Sequence, residues 1–157
     1  MIFLTLKTIH ILSAFLLFGT GLGSAFYKLL ADRGGVLENI VITNKNVVLA
    51  DWIFTTPTVI IQPVTGIIMA NMMNLPLTTP WILITLILYA IAGVCWLPVV
   101  VLQIRMYKLA KQALENGTVL PAQYHRYART WFWLGIPAFL AIMVVIVLMV
   151  FKSSLFG

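Results

Sequence analysis

The stretch Lys7–Phe26, "KTIHILSAFLLFGTGLGSAF", has the composition of a membrane-spanning helix but carries a histidine. A helix needs about 20 mainly apolar residues to cross the hydrocarbon core of a bilayer, and the apolar run at 4–27 is long enough. His10 lies inside this run. An ionisable side chain within a span indicates a function or a polar partner. We therefore expect His10 to face the interior of a helix bundle.

The whole chain is far more apolar than a soluble protein. Its 157 residues are 62% hydrophobic and 9% charged, with a mean hydropathy of +1.05. Soluble domains are about 45–50% apolar and about 25% charged, and a domain of this length could not hide so much apolar surface from water. The composition therefore predicts an integral membrane protein with lipid as its main surroundings.

Four apolar runs predict an all-α fold, a transmembrane four-helix bundle that forms a single domain over 1–157. Within lipid every backbone amide must be satisfied inside its segment, so the runs are read as helices. The predicted helices cover 4–27, 52–73, 81–104 and 130–151, with cytoplasmic links at 28–51 and 105–129. The single cysteine, Cys95, excludes an intrachain disulfide.

The basic residues predict the orientation of the bundle. The chain has 10 Lys and Arg and a net charge of +6. Eight of the ten lie in the two long links, and only Lys7 and Lys152 lie on the other side. The positive-inside rule then places both termini outside, as in a multi-pass protein of the bacterial inner membrane. Basic links of this kind are expected to contact anionic lipid headgroups rather than nucleic acid. The tryptophans predicted to mark the two interfaces are Trp52, Trp131 and Trp133 inside and Trp81 outside.

Polar and small residues recur along one face of the predicted first helix. At about 100° per residue, this stripe consists of Lys7, His10, Ser13, Leu17, Gly21, Ser24 and Lys28. Polar groups in hydrocarbon are costly without partners, so the stripe is predicted to face other helices. Gly19 and Gly23 lie on roughly the opposite face. This small-xxx-small pair predicts a close helix contact and a homodimer.

Matching polar stripes occur in the second and third helices. The second helix has Thr55, Thr58, Gln62, Thr65, Gly66, Met69 and Met73 on one face. Pro57 and Pro63 each remove a backbone donor, which frees the carbonyls of Ile53 and Val59. Asp51, just before this helix, is predicted to be its N-cap. In the third helix Tyr89, Trp96 and Gln103 recur every seven residues on one face.

The depth of His10 suggests a haem site. His10 and Met69 are predicted to lie at the same outer level of the bundle, and an imidazole with a thioether is one way to hold haem iron. Tyr89 and Trp96 could flank the macrocycle, and Lys7 could pair with a propionate. The predicted cofactor-binding residues are therefore His10, Lys7, Gln62, Met69, Tyr89 and Trp96, with His10 as the metal ligand. The expected activity is electron transfer, or an oxidation linked to a quinone or a porphyrin.

Two other functions remain open from the sequence. In a cofactor-free membrane module, His10 would only hydrogen-bond Gln62 or a carbonyl freed by a proline. In a small transporter, the interrupted second helix would line a polar path. The absence of a carboxylate inside any predicted span counts against transport.

The motifs also resemble known families. "LKTIHILSAFLLFGTGLGSAF", "VLADWIFTTPTVIIQPVTGIIMA", "WLPVVVLQIRM" and "WFWLGIPAF" together resemble a bacterial family of predicted integral membrane proteins of unknown function, domain-of-unknown-function family 2269. The arrangement is also similar, more loosely, to the oxygen-independent protoporphyrinogen oxidases of the HemJ type. Lys7-Thr8-Ile9-His10, Thr56-Pro57 and the stretch from Tyr127 to Pro137 carry that likeness, which implies that His10 binds haem b.

Overall fold

The computed structural model describes residues 1–151, and the fold it gives is entirely helical. Its elements are α1 (Ile2–Gly34), α2 (Leu37–Ala50), a π-helical segment (Asp51–Thr55), α3 (Thr56–Met72), α4 (Pro80–Glu115) and α5 (Ala122–Phe151). No strand occurs within residues 1–151. Four helices are long and apolar enough to cross a membrane: Ile2–Gly34, Leu37–Met72, Pro80–Glu115 and Ala122–Phe151. The predicted all-α fold with four spans is confirmed.

The helices run further than the predicted spans, since hydropathy marks only the part of a helix that lies in lipid. The first helix continues to Gly34, and Gly35 ends it in the left-handed conformation with φ of 69°. The fourth element, α4, continues to Glu115 and ends at the Asn116-Gly117 pair, where Gly117 has φ of 63°. Most of the two predicted links is therefore helical. Lys152, which was counted in the orientation prediction, lies outside the described residues.

The second span does not begin at Trp52, and the prediction that Asp51 caps it is wrong. One continuous helix covers Leu37–Met72, and Asp51 opens the π-helical segment inside it. In that wider turn the amide of Thr56 bonds the carbonyl of Asp51, five residues back. Pro57 follows directly and has no amide hydrogen, so a helical hydrogen bond is already missing at this point. The result is a buried carboxyl group inside a candidate membrane span.

The helices form two pairs. α1 packs against α2 and α3, α4 packs against α5, and α2 bridges the pairs by packing on α4. The main core cluster lies where α2 meets the other helices, and includes Ile40, Leu102, Met106, Ala110 and Tyr124. A smaller cluster of Ala70, Trp81 and Ile82 closes the opposite end. Between these two clusters the helix pairs separate around a cavity.

Only half of the predicted interfacial tryptophans face outward. Trp52 and Trp133 are exposed on the surface of the bundle, as expected for an aromatic belt. Trp81 and Trp131 are buried, so their predicted places in the belt are wrong. These two side chains point towards neighbouring helices. The position of a residue along the membrane does not determine which side of its helix faces the bundle.

Candidate functional site

His10 faces α3, as the polar stripe on α1 predicts. Its Nδ1 lies 2.8 Å from Thr65 Oγ1. The ring also packs on Gly66, where an added Cβ would lie 3.4 Å from His10 Cε1. The imidazole therefore lies directly against α3 at Gly66.

The hydrogen bonds of Thr65 define which ring nitrogen of His10 carries the proton. Thr65 Oγ1 donates its single hydrogen to the carbonyl of Ile61 at 2.6 Å. With that hydrogen committed, Thr65 Oγ1 accepts from His10, an arrangement that favours the tautomer protonated at Nδ1. The ring also lies within hydrogen-bonding reach of the Gln62 backbone. In the tautomer protonated at Nδ1, Nε2 keeps its lone pair.

Gln62 joins the backbone of His10 to Ser13. Its Nε2 donates to the carbonyl of His10 and to Ser13 Oγ, at 2.6 Å each. Ser13 Oγ in turn donates to the His10 carbonyl at 3.0 Å. We call His10, Ser13, Gln62 and Thr65 the histidine network. It fastens the N-terminal half of α1 to α3 through polar contacts that lipid cannot replace.

The structure does not bring the predicted haem residues together. Lys7 is exposed on the surface of α1, and Met69 is buried one turn beyond Thr65 on α3. Tyr89 and Trp96 line a cavity to which neither His10 nor Gln62 contributes. The predicted set thus falls into a histidine network, a surface lysine, a core methionine and a cavity wall.

Tyr89 satisfies a carbonyl that a proline leaves free. Its hydroxyl donates to the carbonyl of Val59 at 2.9 Å. Pro63 lies four residues after Val59 and has no amide to donate there. The freed carbonyl predicted from the sequence is therefore present, and α4 supplies its partner.

The cavity lies between the two helix pairs, beside the π-helical segment. Its volume is about 340 Å³, and its wall is mostly apolar and aromatic. This volume falls in the range of about 300–1,000 Å³ that is typical of small-molecule sites. The polar and aromatic side chains that line it include Asp51, Thr55, Tyr89, Trp96, Gln103 and Trp131. The seven-residue stripe of Tyr89, Trp96 and Gln103 predicted on α4 therefore shares one wall.

Several residues that line this cavity each carry a buried polar atom without a hydrogen-bond partner among the described residues. These atoms are Asp51 Oδ2, Trp96 Nε1, Gln103 Oε1 and Trp131 Nε1. The other carboxylate oxygen, Asp51 Oδ1, accepts a hydrogen bond from Thr55 Oγ1 at 2.8 Å. The side chain of Gln103 lies beside the same carboxyl group. Unpaired buried polar atoms are rare in native proteins, so their concentration at one cavity points to a ligand site.

A second buried polar cluster joins α1, α2 and α5. Lys28 is fully buried, and its Nζ donates to Asp32 Oδ2 at 2.8 Å and to the hydroxyl of Tyr124 at 3.0 Å. Tyr124 donates to Asp32 Oδ1 at 2.6 Å and accepts from Asn44 Nδ2 at 2.9 Å. Nζ also lies 5.4 Å from the ring centroid of Trp131. We call Lys28, Asp32, Asn44 and Tyr124 the lysine cluster.

Sequence reasoning missed the roles of Asp51 and Lys28. Lys28 was counted with the basic residues of a cytoplasmic link, yet it lies inside the bundle. Asp51 lies one helical turn before Thr55, so the polar stripe of the second span could have been extended back to it. Asp51 is buried in a helix that is long and apolar enough to span a membrane, which weakens the argument used against a transporter.

Comparison with known protein families agrees with the four-helix membrane fold. A family described as predicted integral membrane protein (DUF2269) matches residues 4–153. The chain belongs to this family. No curated protein and no solved structure matches the chain. The match within DUF2269 covers all four spans, so the histidine network, the cavity and the lysine cluster all lie inside the family region. The likeness to the HemJ-type oxidases stays a prediction from the motifs.

Proposed function

We propose that this membrane protein binds a b-type haem, with Nε2 of His10 as an iron ligand. The observation that carries the proposal is the hydrogen bond from Nδ1 to Thr65. Histidines that bind a metal through one nitrogen almost always donate the other N–H to an oxygen acceptor, which fixes the tautomer and the ring orientation. His10 has this arrangement before any metal is added.

The surrounding residues support His10 as a ligand but supply no second one. Thr65 holds the ring, Gln62 and Ser13 hold the backbone of His10, and Gly66 leaves room for the ring. Tyr89 and Trp96 belong to the cavity, so they are left out of the proposed haem site. A bound haem would supply one-electron chemistry, and the chain's own part would be to orient and hold it.

A cofactor-free membrane module is the second candidate, and a specific observation favours it. Every member of the histidine network already has a polar partner within the network or in the helix backbone. In this reading His10 only fastens α1 to α3. Removing the imidazole would then lower stability and remove no colour.

The two candidates are separated by the visible spectrum of the purified protein, oxidised and then reduced with dithionite. The protein is expressed with ample haem precursor and purified in mild detergent. We expect a Soret band in the wild type, none in His10→Ala, and an unchanged band in the control His125→Ala, whose side chain is exposed. Thr65→Val should weaken haem binding by about 10–100-fold, because it removes the partner of Nδ1.

The proposal fails if the wild-type protein is colourless under these conditions, or if His10→Ala keeps a full Soret band. A colourless wild type whose thermal stability falls in His10→Ala supports the cofactor-free module instead. Gel filtration of each variant shows whether it has folded, so that a loss of colour is not confused with a loss of structure.

A further inference from the structure

We infer that the cavity between the helix pairs binds a lipid-soluble quinone or quinol, with its ring held among Asp51, Trp96, Gln103 and Trp131. These four residues form part of one wall, and each contributes a buried polar atom that has no partner among residues 1–151. Three of them, Asp51, Gln103 and Trp131, are more than nine-tenths buried. The lysine-cluster residue Asn44 has a similar unpaired oxygen, but it does not line the cavity.

The unpaired atoms define the chemistry of the ligand. The two indole N–H groups can only donate, so they require an acceptor such as a carbonyl oxygen. Asp51 Oδ2 and Gln103 Oε1 can accept, so they suit a hydroxyl donor. A quinone offers carbonyl oxygens to the indoles, and its reduced form offers hydroxyl hydrogens to the carboxylate and amide oxygens. A quinol hydroxyl can both donate and accept, so the reduced form can pair with both halves of the wall, whereas the quinone pairs only with the indoles.

Other occupants leave part of this wall unsatisfied. An acyl chain would fill the apolar space but would pair none of the four polar atoms, and each such buried atom costs free energy. A lipophilic cation would suit the carboxyl and the aromatic rings, but it would leave the indole N–H groups unpaired. It would also lie near a positive charge, since Nζ of Lys28 is 5.4 Å from the ring centroid of Trp131.

The cavity can be reached from the bilayer. Among its lining residues, Leu22 on α1 is 48% exposed and Leu140 on α5 is 56% exposed. These two helices meet at the stacked rings of Phe18 and Phe139, whose centroids are 5.4 Å apart. A lipid-soluble molecule could therefore enter between α1 and α5, and its isoprenoid tail could remain in the acyl chains.

This proposal does not rest on haem at His10. Leu17, the first cavity residue on α1, lies seven residues beyond His10, which is about 10 Å along a helix. The two sites also lie at different levels along the second span. The residues of the histidine network lie near the outer end of that span, while Asp51 and Thr55 belong to its π-helical segment. A protein without haem could still bind a quinone in the cavity.

The test measures retention of a dimethoxybenzoquinone that carries a decyl chain. The protein is placed in nanodiscs of pure phosphatidylcholine, the probe is titrated in, and bound probe is measured after gel filtration against empty nanodiscs. We expect saturable binding of one probe per chain. Trp96→Phe and Trp131→Phe keep the aromatic volume but remove a donor, so each should weaken binding by about five- to tenfold.

Trp133→Phe is the matched control, because Trp133 lies on the same helix as Trp131 but is exposed and does not line the cavity. It should bind like the wild type. Retention no higher than in empty nanodiscs would overturn the proposal, as would equal binding by all variants. Displacement of the probe by decanol at equal concentration, or binding of tetraphenylphosphonium without binding of the quinone, would also overturn it.

Discussion

The hydroxyl of Tyr89 donates to the carbonyl of Val59, the carbonyl that Pro63 leaves without its helical donor. Tyr89→Phe should therefore lower the free energy of unfolding by about 1–3 kcal/mol, the cost of a buried carbonyl without a partner. Unfolding in mixed detergent micelles measures the change. Tyr27→Phe is the control, because Tyr27 is exposed on α1 and should change stability little.

A double-mutant cycle tests whether the proline is the cause of this dependence. Pro63→Ala restores an amide that can bond the Val59 carbonyl within α3. Tyr89→Phe should then cost clearly less in the Pro63→Ala background than in the wild type. Equal costs in both backgrounds would show that Tyr89 stabilises the protein through packing alone.

The lysine cluster should make a large contribution to stability. Lys28→Met removes a fully buried ammonium and leaves Asp32, whose side chain is 21% exposed, without its ion partner. Breaking a buried pair from one side typically costs about 3–5 kcal/mol, and the partial exposure of Asp32 places our expectation near the lower end. Thermal unfolding in detergent provides the measurement.

Lys111→Met is the matched control for Lys28→Met. Lys111 pairs with Glu115 at the same i,i+4 spacing, at 3.6 Å, but both side chains are more than half exposed. An exposed pair of this kind contributes about 0.5 kcal/mol or less. A similar loss in both variants would mean that burial does not set the strength of the lysine cluster.

The predicted homodimer can be tested at Gly19 and Gly23 without disturbing the bundle. A Cβ at either glycine would meet nothing within 4 Å, so these residues do not serve contacts inside the chain. Gly19→Ile combined with Gly23→Ile should abolish the dimer and leave the thermal midpoint unchanged. Light scattering after gel filtration gives the mass. Leu12→Ile, also exposed on α1, is the control, and a wild type that runs as a monomer at all concentrations would contradict the prediction.

The orientation predicts which turns can be labelled from outside the cell. In a Cys95→Ala background, Thr78→Cys lies in the turn between α3 and α4, and Thr118→Cys lies in the turn between α4 and α5. With both termini outside, a membrane-impermeant maleimide should label Thr78→Cys on intact cells and Thr118→Cys only after permeabilisation. The reverse pattern would invert the topology.

Periodicity predicted much of the candidate site correctly. The stripe on α1 faces the bundle at His10, Ser13 and Lys28, because residues three or four apart share one side of a helix. The stripe of Tyr89, Trp96 and Gln103 likewise shares one cavity wall. The predicted haem set nevertheless failed to assemble, because periodicity gives the face of a residue on its own helix and not the helix that it meets.

The sequence by itself determined that this protein is a bundle of four membrane-crossing helices. Apolar runs of sufficient length in lipid have no other way to satisfy their backbone amides. The tertiary structure alone decided that His10 meets Thr65 while Tyr89 and Trp96 line a separate space, that Asp51 is buried, and that Lys28 pairs with Asp32 and Tyr124. These outcomes depend on which helices become neighbours and on the extra residue in the turn before Pro57. Both are set by side-chain packing between segments far apart in the chain.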